Sequence, residues 1–222
     1  MTPATGAEPT RWWWVRHAPV PDGGFIYGQR DLDCDCTDRA VFAALARTLP
    51  PDAVWLTSNL ARTHQTARAI AAAIEAEGGR SPEPEPVPDL AEQHLGEWQG
   101  LVRTSFFETR PTHDHWFASA TERPAGGESF ADLCDRVART VADRTARHPG
   151  RAIVAVTHGG TIRAAIALAL GLDPEAALAF TIDNCSVTRL DHLGGDPTRR
   201  WKVVTVNHRP WDVARAGTAA LA

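Results

Sequence analysis

Apolar residues in this chain fall into two patterns. Short continuous runs, Trp12–Val15, Ala53–Thr57 and Ala152–Val156, have the length of buried strands, and longer stretches between them repeat at helical spacing. Thr37 or Asp38 can cap a helix that ends at Pro50-Pro51. Ser58 or Asn59 can cap a second that runs to Glu77 and stops at Gly78-Gly79. Phe130, Leu133, Val137 and Val141 mark one face of a long helix over 128–148, and a further helix over 161–169 is stopped by Gly171. A short third strand is predicted near 87–90, and two more near 186–190 and 201–206. Residues 101–125 read as one helix plus a loop. Strands alternating with helices predict an α/β fold, a three-layer α/β/α sandwich around a mostly parallel central sheet. The organisation expected is a flexible leader over 1–10 and one domain over 11–222.

The 222 residues carry a net charge of -4, which gives no global attraction to nucleic acid or to anionic membrane, so neither is expected as a partner. The first ten residues lack the basic start and apolar stretch of a secretory signal, and the apolar run around 164–170 is far shorter than the roughly 20 residues needed to span a bilayer. The four cysteines, Cys34, Cys36, Cys134 and Cys185, include no C-x-x-C pair, so reduced thiols and a cytoplasmic location are expected. Cys34-x-Cys36 lacks further ligands at zinc-site spacing and reads as loop rather than metal site, with a redox role the alternative.

The candidate chemistry sits at the ends of two strands. The run from Trp12 enters Arg16-His17, and the run from Ala152 enters Thr157-His158-Gly159-Gly160. Open α/β sheets bind their ligands at the C-terminal ends of strands, which is where both histidines fall. A neutral imidazole is a competent nucleophile toward phosphorus, and guanidinium forks bind phosphate oxygens bidentately. Taken alone, either histidine would more often be satisfied by backbone at a strand end. The glycines after His158 permit close approach of backbone to an anion at a helix start.

Arg16-His17, Arg62 within Ser58-Asn59-Leu60-Ala61-Arg62-Thr63-His64, Glu92 within Leu90-Ala91-Glu92 and Thr157-His158-Gly159 occur in an order that resembles the histidine phosphatase (phosphoglycerate-mutase-like) superfamily. Gly28–Asp31 and Gly126-Gly127-Glu128-Ser129 extend the likeness, which covers about 12–190. The resemblance implies a phosphomonoesterase that uses no metal or other cofactor and acts on a small phosphorylated metabolite. His17 would be the nucleophile, Arg16, Arg62 and a protonated His158 the phosphate cage, and Glu92 the proton donor, with Asp89 the competing carboxylate and Glu97 structural. Gly159, and Gln29 as a substitute ligand, would also touch substrate. Two positions depart from the family pattern: Ala18 follows the first histidine in place of glycine, and Gly23 stands where the family often places a phosphate-binding asparagine. A phosphoglycerate mutase and a non-catalytic phosphate-binding module are the alternatives. The resemblance makes 101–125 a cap over the pocket, while His113-Asp114-His115 within it reads as polar surface or, less favoured, as metal ligands. Trp12, Trp13 and Trp14 are expected to fill both faces of the first strand, and Trp98 and Trp116 to reach the pocket wall. Oligomeric state is not legible in the sequence.

Overall fold

Three consecutive tryptophans make the first strand a wedge between two helical layers. In the computed structural model, which describes residues 8–110 and 113–212, β1 spans Thr10–Arg16. Trp12 and Trp14 point to one face, fully buried and stacked with ring centroids 4.8 Å apart, and Trp13 packs on the other. The Trp12 indole N–H donates to Thr145 Oγ1 at 3.0 Å, which satisfies its one polar atom. The strand begins at Thr10, inside the expected leader; residues 1–7 of that leader lie outside the described residues.

The elements then run α1 (Arg39–Thr48), β2 (Val54–Thr57), α2 (Ala61–Ala76), β3 (Glu85–Pro86), α3 (Arg103–Glu108), α4 (Phe130–Arg147), β4 (Ala152–Thr157), α5 (Gly159–Leu170), α6 (Pro174–Ala177), β5 (Val187–His192) and β6 (Trp201–His208). The sheet order is β3-β2-β4-β1-β5-β6, with parallel pairing from β3 through β1 and antiparallel pairing at β1–β5 and β5–β6. One core lies on the α4–α5 side and includes Leu133, Val137, Ile162 and Ile166; the other lies on the α1–α2 side and includes Phe42, Leu45 and Ile70. These are the three layers expected from the alternating pattern.

Local chemistry accounts for where element boundaries depart from the sequence reading. Residues 87–90 form a 3-10 turn over Pro88–Leu90 rather than a strand, because Pro88 has no N–H for a ladder and its fixed φ suits a first helical position; β3 is reduced to two residues before it. Leu60, not Ser58 or Asn59, occupies the N-cap of α2 and makes no side-chain cap, while Asp31 Oδ1 accepts the Ala61 N–H from outside at 2.7 Å. In α4 the cap is Ser129, whose hydroxyl accepts the Asp132 N–H while Asp132 accepts the Ser129 N–H, a reciprocal pair that fixes the helix start. Helix α5 begins two residues earlier than predicted, immediately after His158. The short α6, capped by the Asp173 side chain and opened by Pro174, adds an element beyond those the sequence pattern predicts.

Candidate active site

The register of β1 against β4 builds the site. Arg16 pairs with Thr157, so His17 and His158 emerge side by side from adjacent parallel strands, with ring centroids 5.2 Å apart. The His17 Nδ1–H donates to its neighbour's carbonyl, Ala18 O, at 2.7 Å. A carbonyl only accepts, so Nδ1 carries the proton and the lone pair resides on Nε2. Among the described residues nothing hydrogen-bonds to that Nε2. The His17 carbonyl accepts from Asn184 Nδ2 at 2.8 Å, which anchors the peptide behind the ring.

His158 is held differently. Arg62 Nε donates to its Nδ1 at 3.3 Å, which requires that nitrogen to be unprotonated, and Nε2–H therefore faces Ser58 Oγ at 2.8 Å. The protonated His158 expected from the sequence is thus replaced by a neutral ring with both nitrogens engaged. Burial, then the charges of Arg62 and Arg16, holds His17 well below the usual histidine value. Burial first, then Arg62, His17 and Arg16, does the same to His158.

That electrostatics has a consequence for stability. The unfolded chain takes up protons near pH 6.5 that the folded histidines refuse, so the contribution is intact above that pH and is lost as pH falls from 6.5 toward the depressed folded values. The loss is about 1.4 kcal/mol per pH unit for each histidine within that window. Thermal unfolding between pH 7.5 and 5.5 is expected to show a falling Tm, with a shallower fall in His17→Asn. An equally steep fall in the variant would contradict this origin.

Arg62, in the first turn of α2, is fully buried. Its Nη1 and Nη2 donate to Arg30 O at 2.9 Å and Gly28 O at 2.6 Å, and its guanidinium lies 5.1 Å from the Tyr27 ring centre. Arg16 donates through Nη1 to Ile182 O at 2.6 Å, but its buried Nε has no hydrogen-bond partner among the described residues. A buried guanidinium N–H with no acceptor costs on the order of 1–3 kcal/mol, and an anion seated beside it would remove that cost.

Glu92 lies against the start of α5. Its Oε1 and Oε2 accept the Gly160 N–H at 3.2 and 3.3 Å, and Oε1 also accepts the Gln93 N–H at 3.0 Å. Arg136, which the sequence reading missed, fixes the chain that carries it by donating to Asp89 O, Ala91 O and Glu92 O while pairing with Glu128. The Gly126–Ser129 block serves the same loop, since a Cβ on Gly127 would lie 2.3 Å from His94 O. Asp89 and Glu97 are both exposed, and neither lines the cavity.

Gly160 is required for this placement, because a Cβ there would come within 2.3 Å of Glu92 Oε1. Gly160→Ala is expected to keep the fold, alanine being the better helix former, but to displace the carboxylate and lower kcat/KM by about 100-fold. At Gly159 a Cβ would meet Arg16 and Arg163 at 3.5 Å, an ordinary contact, so Gly159→Ala should be milder. Steady-state kinetics and melting curves of the two variants check this, and equal losses would contradict it.

A cavity of about 770 Å³ opens over Arg16, Glu92, Gly159 and Gly160. His17, His158 and Arg62 are buried beneath it rather than in its lining. Gln29 is also absent from the lining. Its Nε2 donates to Glu92 O at 2.8 Å, so it supports the Glu92 loop instead of facing substrate as expected. Residues 113–117, Arg103 and Phe107 of α3, and Arg110 just beyond it supply the opposite wall. Arg103 is paired with Asp22 and Arg110 with Glu122. Trp116 reaches the wall as predicted. Trp98 does not, because it is buried in a small cluster with Phe106 and Leu95. Among the described residues no group of three or more His, Cys, Asp or Glu side chains is arranged to hold a metal ion.

Two further lining residues escaped the sequence reading. Arg163 on α5 donates to Phe180 O at 2.7 Å, stacks 4.7 Å from the Trp116 ring centre and adds a cation whose pKa burial lowers. Asn184 brings an amide into the lining from the turn before β5, whereas Gly23, where the family pattern would place one, is not in the lining. Arg163 does follow His158 by five residues on a predicted helix, which is the one signal that could have found it; Asn184 lies in no motif.

A mostly parallel sheet delivers two neutral histidines and a partly unsatisfied arginine to its C-terminal edge, beside a helix N-terminus, which is the arrangement by which an α/β fold can receive an anion. The chain belongs to the histidine phosphatase superfamily (branch 1), whose profile matches residues 12–207. It is 34% identical over 200 residues to a glucosyl-3-phosphoglycerate phosphatase of Mycolicibacterium vanbaalenii, covering 84% of this chain and 80% of the relative. It is 35% identical over 159 residues to a metal-independent phosphoserine phosphatase of Arabidopsis thaliana, covering 68% of this chain but only 64% of that protein's length. The native structure of a mycobacterial glucosyl-3-phosphoglycerate phosphatase superposes with a TM-score of 0.76 at 27% identity, covering 90% of this chain and 99% of that one. No helix among the described residues is long and apolar enough to cross a membrane.

Proposed function

We propose that the chain is a metal-independent phosphomonoesterase that works through a phosphohistidine on His17 and acts on a small phosphorylated metabolite in the cytoplasm. The observation that carries this reading is the fixed tautomer of His17, whose Nδ1 proton is committed to Ala18 O and whose Nε2 lone pair has no partner among the described residues. Its low pKa keeps that lone pair free at neutral pH.

In the first half-reaction Nε2 attacks phosphorus, the P–O bond to the alcohol breaks, and Glu92 gives its proton to the leaving oxygen. Arg16, through the Nε that lacks a partner, and the start of α5 at Gly159 receive the equatorial oxygens. Arg62 adds buried positive charge, held in place by neutral His158. In the second half-reaction Glu92 takes a proton from water, which attacks phosphorus and releases inorganic phosphate and free His17. The single domain and the cap role of 101–125 belong to the same proposal, supported by the cavity wall that Arg103, Phe107, Arg110 and residues 113–117 supply. The cytoplasmic assignment draws on four free cysteines.

The test is phosphate release from p-nitrophenyl phosphate and from a panel of phosphorylated metabolites. The expected result is turnover that survives EDTA and is blocked by vanadate, since the proposed charge cage neutralises phosphate without a cation. Activity lost to EDTA and restored by a divalent ion would contradict it and turn attention to His113-Asp114-His115. Interconversion of phosphoglycerates without phosphate release would assign a mutase instead.

A further inference from the structure

The phosphoryl chemistry leaves one cluster of nucleophilic groups unused. Cys34 and Cys36 lie between the Gly28 loop and α1, both half-buried, with their Sγ atoms 3.6 Å apart. The Cys34 Sγ–H donates to the Arg62 carbonyl at 3.3 Å, and the sulfur lies 3.6 Å from Thr66 Oγ1. Thr66 Oγ1 accepts the Ala18 N–H at 2.8 Å and donates to the same Arg62 carbonyl at 2.7 Å. The thiol pair therefore backs onto the two peptide groups that set Arg62 and the His17–Ala18 turn.

The hydrogen bond from the Cys36 thiol pulls Cys34 down to about 7; the Thr66 hydroxyl and the Arg62 charge act the same way, while burial and Asp33 oppose them. Cys36 is pushed up by the same bond. Cys134 and Cys185 are buried, and burial pushes each up to about 12, so neither competes as a nucleophile.

We propose that Cys34 and Cys36 form a peroxide-oxidisable dithiol whose closure to a disulfide slows the enzyme by withdrawing Cys34 from the Arg62 carbonyl and Thr66. The Cys34 thiolate attacks one oxygen of hydrogen peroxide; the O–O bond breaks, an S–O bond forms, and the departing hydroxide takes a proton to become water. The Cys36 thiol then attacks the sulfenic sulfur and gives up its proton to the departing oxygen. An S–S bond forms, the S–O bond breaks, and the oxygen leaves as a second water. The sulfurs must close from 3.6 Å to about 2.05 Å, a movement of two half-exposed side chains.

The Arg30 and Arg39 cleavage sites place both thiols on one tryptic fragment, residues 31–39. After hydrogen peroxide and then iodoacetamide, that fragment is expected unalkylated and about 2 Da lighter than its reduced, unmodified mass. The rate with p-nitrophenyl phosphate on the same aliquots should fall roughly 3- to 10-fold and recover with dithiothreitol. Cys36→Ser should keep the basal rate, form no disulfide and show a dimedone-trapped sulfenic acid on Cys34. Two alkylated thiols on the fragment after oxidation of other residues has begun would overturn the proposal, as would complete disulfide with an unchanged rate. The activity readout rests on the phosphatase reading, but the fragment mass does not, so failure of one is distinguishable from failure of the other.

Discussion

His17→Ala is expected to lower turnover of every phosphomonoester by roughly 10⁴-fold or more, because it removes the only covalent route. The loss should not follow the leaving group, since activated and unactivated esters need the same nucleophile. The fold should survive. Among the described residues the ring makes one hydrogen bond, to its neighbour's carbonyl, and Asn184 anchors the His17 peptide through its backbone oxygen, which alanine retains. Vanadate or phosphate should still bind, since Arg16 and the α5 N-terminus remain. Single-turnover kinetics and equilibrium binding on the purified variant check both statements. A variant that keeps even a tenth of wild-type turnover would remove His17 from the chemistry.

The second large effect separates proton transfer from nucleophilic attack. Glu92→Gln keeps the cage but removes the proton donor, so esters of alcohols with high pKa should lose about 10²- to 10⁴-fold in the phosphorylation step. A p-nitrophenyl ester, whose leaving group needs no proton, should be nearly spared in that step. The substitution is close to isosteric, and the Gly160 and Gln93 N–H groups that Glu92 accepts can still donate to the glutamine oxygen. Rapid-mixing measurements of phosphoenzyme formation with the two ester types give the comparison. Equal losses would exclude Glu92 as the acid. Asp89 is a poor successor, because it is exposed and outside the cavity lining.

Much of this arrangement is legible in the sequence because it depends on short-range rules. Strand β4 matches its apolar run, and Arg16-His17 and Thr157-His158 come together through the parallel pairing that the α/β pattern requires. What the sequence could not supply depends on tertiary hydrogen bonding. Ser58 looks like a helix cap locally, yet its hydroxyl is engaged with His158, 100 positions away. The protonation of His158 is decided by the direction of one Arg62 N–H, which no spacing encodes. Gln29 is close enough to the site to suggest a ligand, but its amide turns to the Glu92 backbone. Arg136 and Asn184 act through backbone carbonyls from distant elements, and Trp98 was drawn from the cavity into a local aromatic cluster. Pro88 did carry a readable signal against a strand over 87–90, which the apolar residues around it masked.

The central claim is that His17 Nε2 carries the phosphoryl group. The most direct measurement is alkaline quenching of the enzyme within milliseconds of mixing with substrate, followed by mass mapping of the His17 fragment under conditions that preserve acid-labile phosphorus–nitrogen bonds. The account predicts a fragment about 80 Da heavier, with the mass on His17, lost on brief acid treatment and absent from His17→Ala. Phosphate on a serine, threonine or carboxylate, or turnover with no labelled enzyme at any time, would contradict it.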